Sequence, residues 1–394
     1  MTAPRMTVEF YRHSLEEADI ARLVEVCRGV FLTTGQEVKA FEDAFAAYLG
    51  ARHAVGVTSC TAGLHLALLA VGIGPGDEVI TTPMTFAATS NTVLHTGATP
   101  VFVDVEPDTG LISAEAVERA ITPRTRAIVP VHLYGQMADM RRLREIADRA
   151  GVRVIEDCAH AIESVRDGIK PGQLGDAAAF SFYATKNITS GEGGAVVTND
   201  ATVNTRLRLL RQHGMSASAA ERYTGTYRHY DIELLGWKYN MANLQAALLL
   251  GQMERLDTMW RRREDISQQY EQGLRHIEGV SFPVILAGAR SARHLFTIWV
   301  APAHRDRILF DLQARGVGVA VNYRAVHLLK YYQDTFRIPR GAFPVAERIG
   351  DSTITLPLYP KLTEAEVDYV VKNVRESAAN AASLPPVSNG PRTT

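Results

Sequence analysis

The sequence predicts an α/β protein, with a large domain on a mostly parallel seven-stranded sheet and a smaller C-terminal α/β domain. Three observations carry this expectation. Short apolar runs alternate with amphipathic stretches of helical spacing through the first two-thirds of the chain. Near Asn240 the alternation gives way to one long helical pattern, followed by a second, shorter set of strands and helices. The chain has 394 residues, more than one simple core accommodates.

The elements follow in order. Gly35 to Tyr48 reads as an amphipathic helix, since Val38, Phe41, Phe45 and Leu49 fall on one face. His53 to Val57 is a short apolar strand. Thr61 to Val71 is a helix presenting Leu64, Leu68 and Val71. Strands are expected at Glu78 to Thr81, Pro100 to Val105, Ala127 to Val131 and Val152 to Glu156. Helices at Phe86 to His95, Ala114 to Ala120 and Met140 to Ala150 separate them. Such alternation makes neighbouring strands parallel and covers both faces of the sheet. Ala177 to Phe182 and Gly194 to Thr198 complete the seven near the other edge.

Asn240 to Leu256 reads as a long helix, where the argument for a second domain begins. His294 to Val300 and Val317 to Val321 are expected strands, Arg305 to Ala314 and Glu364 to Val371 expected helices. The division reads as residues 1–255 (with an N-terminal helical segment), residues 256–380, and a disordered tail, 381–394, rich in Pro, Ser, Thr and Asn.

Composition excludes several classes. Forty-two basic residues nearly balance forty-three acidic ones, so no net field favours nucleic acid or a membrane surface. An anionic ligand must be held by local groups. The three cysteines, Cys27, Cys60 and Cys158, form neither a disulfide framework nor a zinc pattern. With no signal-type apolar stretch at the N-terminus, the expected setting is reducing and cytoplasmic, with no metal.

Chemistry is expected where strands end. In Ala179-Phe180-Ser181-Phe182-Tyr183-Ala184-Thr185-Lys186 a lysine leaves a buried strand, and Gly191-Glu192-Gly193-Gly194 follows. Partial burial lowers the pKa of such an amine and makes it nucleophilic, as Schiff-base chemistry requires. A solvated surface lysine is the plain alternative. Asp157, in Val154-Ile155-Glu156-Asp157-Cys158-Ala159-His160, stands at the carboxyl end of a strand, where α/β folds bind ligands. It suits a protonated pyridine nitrogen; a helix N-cap or a metal ligand is the alternative. Thr58-Ser59-Cys60-Thr61-Ala62-Gly63 opens a helix with hydroxyls and free amides, which suits a phosphate monoester or an ordinary cap. Ser181 offers a further hydroxyl. Phe86 offers a ring to stack on a flat cofactor, or a core side chain. Together these place Thr61, Phe86, Asp157, Ser181 and Lys186 after successive strand ends.

Three motifs mislead. The run Gly72-x-Gly74-x-Gly76 precedes a strand instead of opening a helix, so it reads as a turn and not a dinucleotide site. Asn187-Ile188-Thr189 spells a glycosylation sequon that a chain without a signal peptide never uses. Arg261-Arg262-Arg263 reads as a solvated helix face.

From about Gly35 to Val371 the chain resembles the DegT/DnrJ/EryC1/StrS aminotransferases, pyridoxal 5′-phosphate (PLP) enzymes with the type I, aspartate aminotransferase-like fold. The markers include Gly74-Pro75-Gly76-Asp77-Glu78, Gly97-Ala98-Thr99-Pro100-Val101-Phe102-Val103-Asp104, Pro130-Val131-His132-Leu133-Tyr134-Gly135 and the lysine segment. The resemblance implies that Lys186 carries the cofactor and moves a proton, that Asp157 binds the pyridine nitrogen and that Phe86 stacks on the ring. It implies that Thr61, Ala62 and Ser181 bind the phosphate, with His160 close to the ring's 3-oxygen. It also implies a homodimer with active sites at the interface, completed by Lys238 or Asn240 of the neighbouring chain. The form Lys238-Tyr239-Asn240 is similar to the subgroup acting at C4 of keto sugars, which includes the UDP-4-amino-4-deoxy-L-arabinose aminotransferase. Arg324, His327 and Lys330 are candidates for contacts to substrate, against solvated or capping roles.

The reaction implied is a two-stage transfer of the amino group of L-glutamate to a nucleotide-linked 4-keto sugar, through the pyridoxamine form of the cofactor. Alternatives remain at this point: a 3-keto sugar or cyclitol ketone as acceptor, a PLP-dependent sugar dehydratase, or a regulatory protein that kept the fold. The dehydratases carry histidine in place of the lysine, so Lys186 argues against them.

Overall fold

The structure is a computed structural model describing residues 6–216 and 229–383. The disordered tail expected from the sequence lies, from residue 384 onward, outside the described residues.

Two helices come first, α1 (Glu17–Arg28) and α2 (Gln36–Leu49). Then follow β1 (His53–Val57), α3 (Cys60–Ala70), β2 (Glu78–Thr81), α4 (Ala88–His95), β3 (Thr99–Phe102), α5 (Ala114–Ala120) and β4 (Thr125–Val129). The series continues with α6 (Met140–Ala150), β5 (Arg153–Asp157), the short β6 (Val165–Arg166), β7 (Ala177–Ser181), β8 (Gly194–Thr198) and α7 (Ala201–Leu210). The main sheet has seven strands in the order β1-β8-β7-β5-β4-β2-β3. From β7 to β3 every pair is parallel, whereas β8 runs antiparallel to both its neighbours, β7 and β1. This is the type I fold expected from the sequence. The carboxyl ends of β2, β4, β5 and β7 therefore open on the same side.

Small residues set how closely the layers pack. The Ala177-Ala178-Ala179 stretch of β7 lets α3 lie flat against it. At Gly63 of α3 an added Cβ would come within 2.9 Å of Val196 Cγ2 and 3.3 Å of Ala179 Cβ. One apolar cluster fills the α3 and α7 side of the sheet. A second, with Phe41, Phe45, Phe180 and Phe182 in edge and stacked contacts, fills the α2 side.

The helix expected over Asn240 to Leu256 is α8 (Asn243–Glu254), and α9 (Leu256–Leu274) follows it, joined at Arg255. Beyond them lie β9 (Val280–Ser281), β10 (Ala289–Arg290), β11 (Phe296–Val300), α10 (Pro302–Ala314), α11 (Lys330–Phe336), α12 (Pro344–Ser352), β12 (Thr353–Leu356) and α13 (Glu364–Ala382). A three-stranded antiparallel sheet, β12-β11-β9, carries a separate apolar cluster with α9, α10 and α13. Leu256 and Met259 belong to the large-sheet core, whereas Ile266, Tyr270 and Leu274 belong to this second cluster, so α9 spans both. Val8, near the N-terminus, also packs in the second cluster, beside Val317.

Two expectations fail here. Val317 to Val321 is not a strand: only isolated bridges, Val8 to Val317 and Ala320 to Thr355, form there. The segment bonds to the N-terminal stretch at one end and to β12 at the other, so no continuous ladder runs along it. Arg261-Arg262-Arg263 is not a uniform solvated face either. Arg263 is fully buried in an ion pair with buried Glu163, and Arg262 pairs with Glu364.

Candidate active site

Lys186 follows β7 in a tight turn, its N–H donating to the Tyr183 carbonyl at 2.9 Å. Gln252 of α8 clamps the same loop: its amide accepts from Thr189 N and donates to the Thr189 carbonyl, at 3.0 and 2.8 Å. The sequence thus fixes a lysine loop from two sides. The half-buried amine has a pKa lowered to about 8, chiefly by burial, with the Asp157 carboxylate pulling it upward. At pH 8 about half of such amines are neutral, against about one in three hundred for a free lysine.

Asp157 ends β5 and is buried. Thr89 Oγ1 donates to its Oδ2 at 2.8 Å, and Ala159 N donates to its Oδ1 at 3.1 Å. Burial raises its pKa, while those two donors and the Lys186 charge work against the rise. Cys60 Sγ lies 3.9 Å from Oδ1 and its thiol pKa is pushed far up by burial, so it is an inert neutral neighbour.

His160 is also buried. Its Nδ1 accepts from Tyr134 N at 3.3 Å, so its proton sits on Nε2, which donates to Tyr323 Oη at 3.1 Å. Tyr134 holds a left-handed backbone, φ 59°, which aims that N–H at the ring. Burial, then the Lys186 charge, pushes the His160 pKa well down, so the ring is neutral.

The N-terminus of α3 lies beside these groups. Ser59 caps it, accepting from Ala62 N at 3.0 Å, which leaves the Cys60 and Thr61 amides without helical acceptors. Gly194 of β8 presses on this turn: an added Cβ would reach the Ser59 carbonyl carbon and lie 2.6 Å from Cys60 N. Ser181 is buried at the end of β7. Phe86 is 61% exposed and tilts toward Tyr323, their ring centroids 5.9 Å apart.

The remaining candidates lie elsewhere. Asn240 pairs with Val57 at the edge of β1. Lys238 Nζ donates to Asn240 Oδ1 at 2.7 Å, and Asn240 Nδ2 donates to Thr34 Oγ1 at 2.7 Å, so their bonds run to one another and to Thr34. Arg324 is exposed, one residue from Tyr323. Lys330 is exposed and paired with Asp334 within α11. His327, expected at the sugar pocket, lies instead in the core. It is fully buried, bonded to Glu347 Oε1 at 3.0 Å and edge-on to Phe343, so it has no face for a substrate.

Four residues that matter here are not site candidates from sequence: Thr89, Tyr323, and the pair Asn187 and His294, whose Oδ1 and Nδ1 atoms respectively lie 3.0 Å apart beside Lys186. Thr89 lies just beyond a strand-end motif, and nothing in the sequence sets Asn187 against a ring 107 residues later.

His132, Glu156 and Cys158 lie close enough to share an ion, but their donors are spent. His132 Nδ1 accepts from Ala138 N, its Nε2 faces Glu156 Oε2 at 2.8 Å, and Glu156 Oε1 accepts from Gly172 N and Gly175 N. This group braces the strand end beneath Asp157. A separate groove of about 1010 Å³ between α1, α2 and α7 contains no member of the Lys186 cluster.

The chain matches the DegT/DnrJ/EryC1/StrS aminotransferase family over residues 13–375. It belongs to that family. It is 43% identical over 370 residues to the spore coat polysaccharide biosynthesis protein SpsC of Bacillus subtilis, covering 92% of this chain and 95% of the relative. The sugar aminotransferase Spr1654 of Streptococcus pneumoniae, described as putative, superposes in its PLP form with a TM-score of 0.89 at 30% identity, over 95% of this chain and all of that one. DesV of S. venezuelae, solved with a ketimine intermediate, superposes with a TM-score of 0.88 at 38% identity, over 95% and 99%. The protein is a PLP-dependent sugar aminotransferase. Its residues fit that cofactor: an amine with a lowered pKa, a buried carboxylate beside an amide-rich helix start, and an exposed aromatic ring linked to the amine through Tyr323, His160 and His294. Among the described residues no helix is long and apolar enough to cross a membrane.

Proposed function

We propose that the enzyme moves the amino group of L-glutamate to C4 of a nucleotide-linked keto sugar. The observation that carries the chemistry is Lys186 itself, an amine with a pKa near 8 within the electrostatic reach of Asp157. The cofactor, when bound, supplies an aldehyde carbon for the amino group and a ring that withdraws electrons. Lys186 holds the cofactor, then takes and returns the proton moved during transfer. Asp157, whose carboxylate accepts from Thr89 and Ala159, would pair with the protonated ring nitrogen. When the cofactor is bound, Phe86 would stack on the ring, His160 would lie near it, and Thr61, Ala62 and Ser181 would hold the phosphate. Exposed Arg324 is available to an anionic nucleotide, with Lys330 farther along the same stretch.

The site is completed in a homodimer. Supporting this are Val30, 91% exposed, and Leu235, 83% exposed, large apolar side chains that a free surface does not favour. Lys238 and Asn240, bonded only locally, are then the groups offered to the neighbouring phosphate. Sedimentation of Leu235→Glu tests this: dissociation to monomers with loss of activity supports it, and a monomeric, fully active wild type sinks it. The substrate assignment is tested by a panel of nucleotide-linked 4-keto and 3-keto sugars and cyclitol ketones, with the pyridoxamine form as amine source. A 4-amino product is expected. Turnover confined to a 3-keto sugar or a cyclitol ketone would overturn the C4 assignment.

A further inference from the structure

Among the described residues, the hydrogen-bond partner of Lys186 Nζ is His294 Nε2, at 3.3 Å. The protonation of that ring is set by its other side. Asn187 Nδ2 donates to Glu163 Oε2 at 2.7 Å and to the Ala292 carbonyl at 3.0 Å, both pure acceptors. This fixes the Asn187 amide with Oδ1 toward His294. An amide oxygen only accepts, so the proton of His294 is on Nδ1, donated to Asn187 at 3.0 Å. Its Nε2 is then a bare lone pair facing the lysine. Glu163 is anchored in turn by buried Arg263. The chain Arg263–Glu163–Asn187–His294–Lys186 is laid out from the base of the site to its reactive amine.

We infer that His294 is a positioning residue that holds the free amine of Lys186, in the tautomer Asn187 imposes, while the cofactor is bonded to substrate. A neutral amine that gives one N–H to Nε2 has its lone pair fixed in direction, free to take the substrate proton. The ammonium so formed keeps the same bond, now charge-assisted, which favours the protonated state. A cationic imidazole would lose this function. Burial, then the Lys186 charge, with Arg263 acting in the same direction, pushes the His294 pKa well down and keeps the ring neutral. The other charged group that acts on Lys186 is Asp157, and the Cys60 thiol beside it is neutral. His160 stacks on His294 at 4.4 Å between ring centroids but spends its Nε2 on Tyr323.

The inference rests on Lys186 being the cofactor-bearing amine, and the test separates the two. The cofactor-free enzyme is labelled competitively with an amine-reactive anhydride across pH, and Lys186 modification is read by peptide mass spectrometry. Loss of a hydrogen bond to a charged group in His294→Phe is expected to lower the labelling midpoint by about one pH unit. The single-turnover reaction of the loaded enzyme with L-glutamate should slow about tenfold. Asn187→Leu, which frees the tautomer, should shift both in the same direction by less. A residue that only supports packing would weaken cofactor binding without moving the midpoint. Unchanged midpoints in both variants overturn the inference; if His294→Phe does not fold, Asn187→Leu decides. If instead Lys186→Ala still forms the protein-bound cofactor band, it is the functional reading that fails.

Discussion

Thr89→Val removes one hydroxyl at nearly constant volume, and the consequence is calculable. Thr89 Oγ1 donates to Asp157 Oδ2 at 2.8 Å inside a buried site, and the Ala159 N–H is the other donor. A hydrogen bond to a charged group contributes about 1.5–3 kcal/mol. Its loss pushes the Asp157 pKa further up, and at 1.36 kcal/mol per pH unit that energy corresponds to about 1–2 pH units in the limb the carboxylate controls. Burial already holds that pKa above the usual carboxylate value, so the increment adds to an existing rise. The activity needs the carboxylate, which protonates as pH falls through the raised pKa. The acid limb of the glutamate half-reaction, followed by single-turnover absorbance, is therefore expected about 1–2 pH units higher in Thr89→Val than in wild type. The alkaline side should be little changed. Thr85, which shares a 2.8 Å hydroxyl contact with Thr89, loses a partner too. Thr85→Val breaks that contact while keeping the Asp157 bond, and serves as the control. Superimposable profiles for Thr89→Val and wild type would refute the assignment of Thr89 as a donor that favours the Asp157 carboxylate.

Three further outcomes follow from the same geometry. The rate at which PLP reconstitutes the cofactor-free enzyme should rise with pH through about 8 and then level, because the neutral Lys186 amine is the attacking form; a midpoint near the ordinary lysine value would contradict its lowered pKa. Gly194→Ala drives a Cβ against the Ser59–Cys60 peptide, so thermal unfolding should show a loss of about 1–3 kcal/mol and PLP titration a weaker affinity. Glu42→Ala leaves buried Arg211, bonded to Glu42 at 2.6 Å, without its counter-charge and with the Gly56 carbonyl still accepting from it, and denaturant unfolding should register about 3 kcal/mol.

The large sheet was legible because its strands are short apolar runs separated by well-patterned helices. Glu78–Thr81, Ala114–Ala120, Met140–Ala150 and Gly194–Thr198 have the boundaries their periodicity gives. The Val317 to Val321 expectation failed because alternation specifies a face, and a strand also needs a neighbour to pair with. Arg263 misled for a related reason. A charged triplet on a helix reads as solvated unless the buried carboxylate opposite it, here Glu163 from a loop a hundred residues earlier, is known. His327 misled similarly: motif proximity suggested a pocket, while the ring turns inward to Glu347. In the site, residues at strand ends were readable because α/β topology brings strand ends together. Thr89, His294 and Tyr323 were not, since each acts through a contact far away in sequence.

Borohydride reduction of the PLP-loaded protein, followed by peptide mapping, tests the central claim most directly. The pyridoxyl group is expected on Lys186, and prior incubation with L-glutamate should abolish the labelling by moving the cofactor to its unattached pyridoxamine form. Labelling at another lysine, or labelling of Lys186 that glutamate leaves intact, would contradict the account.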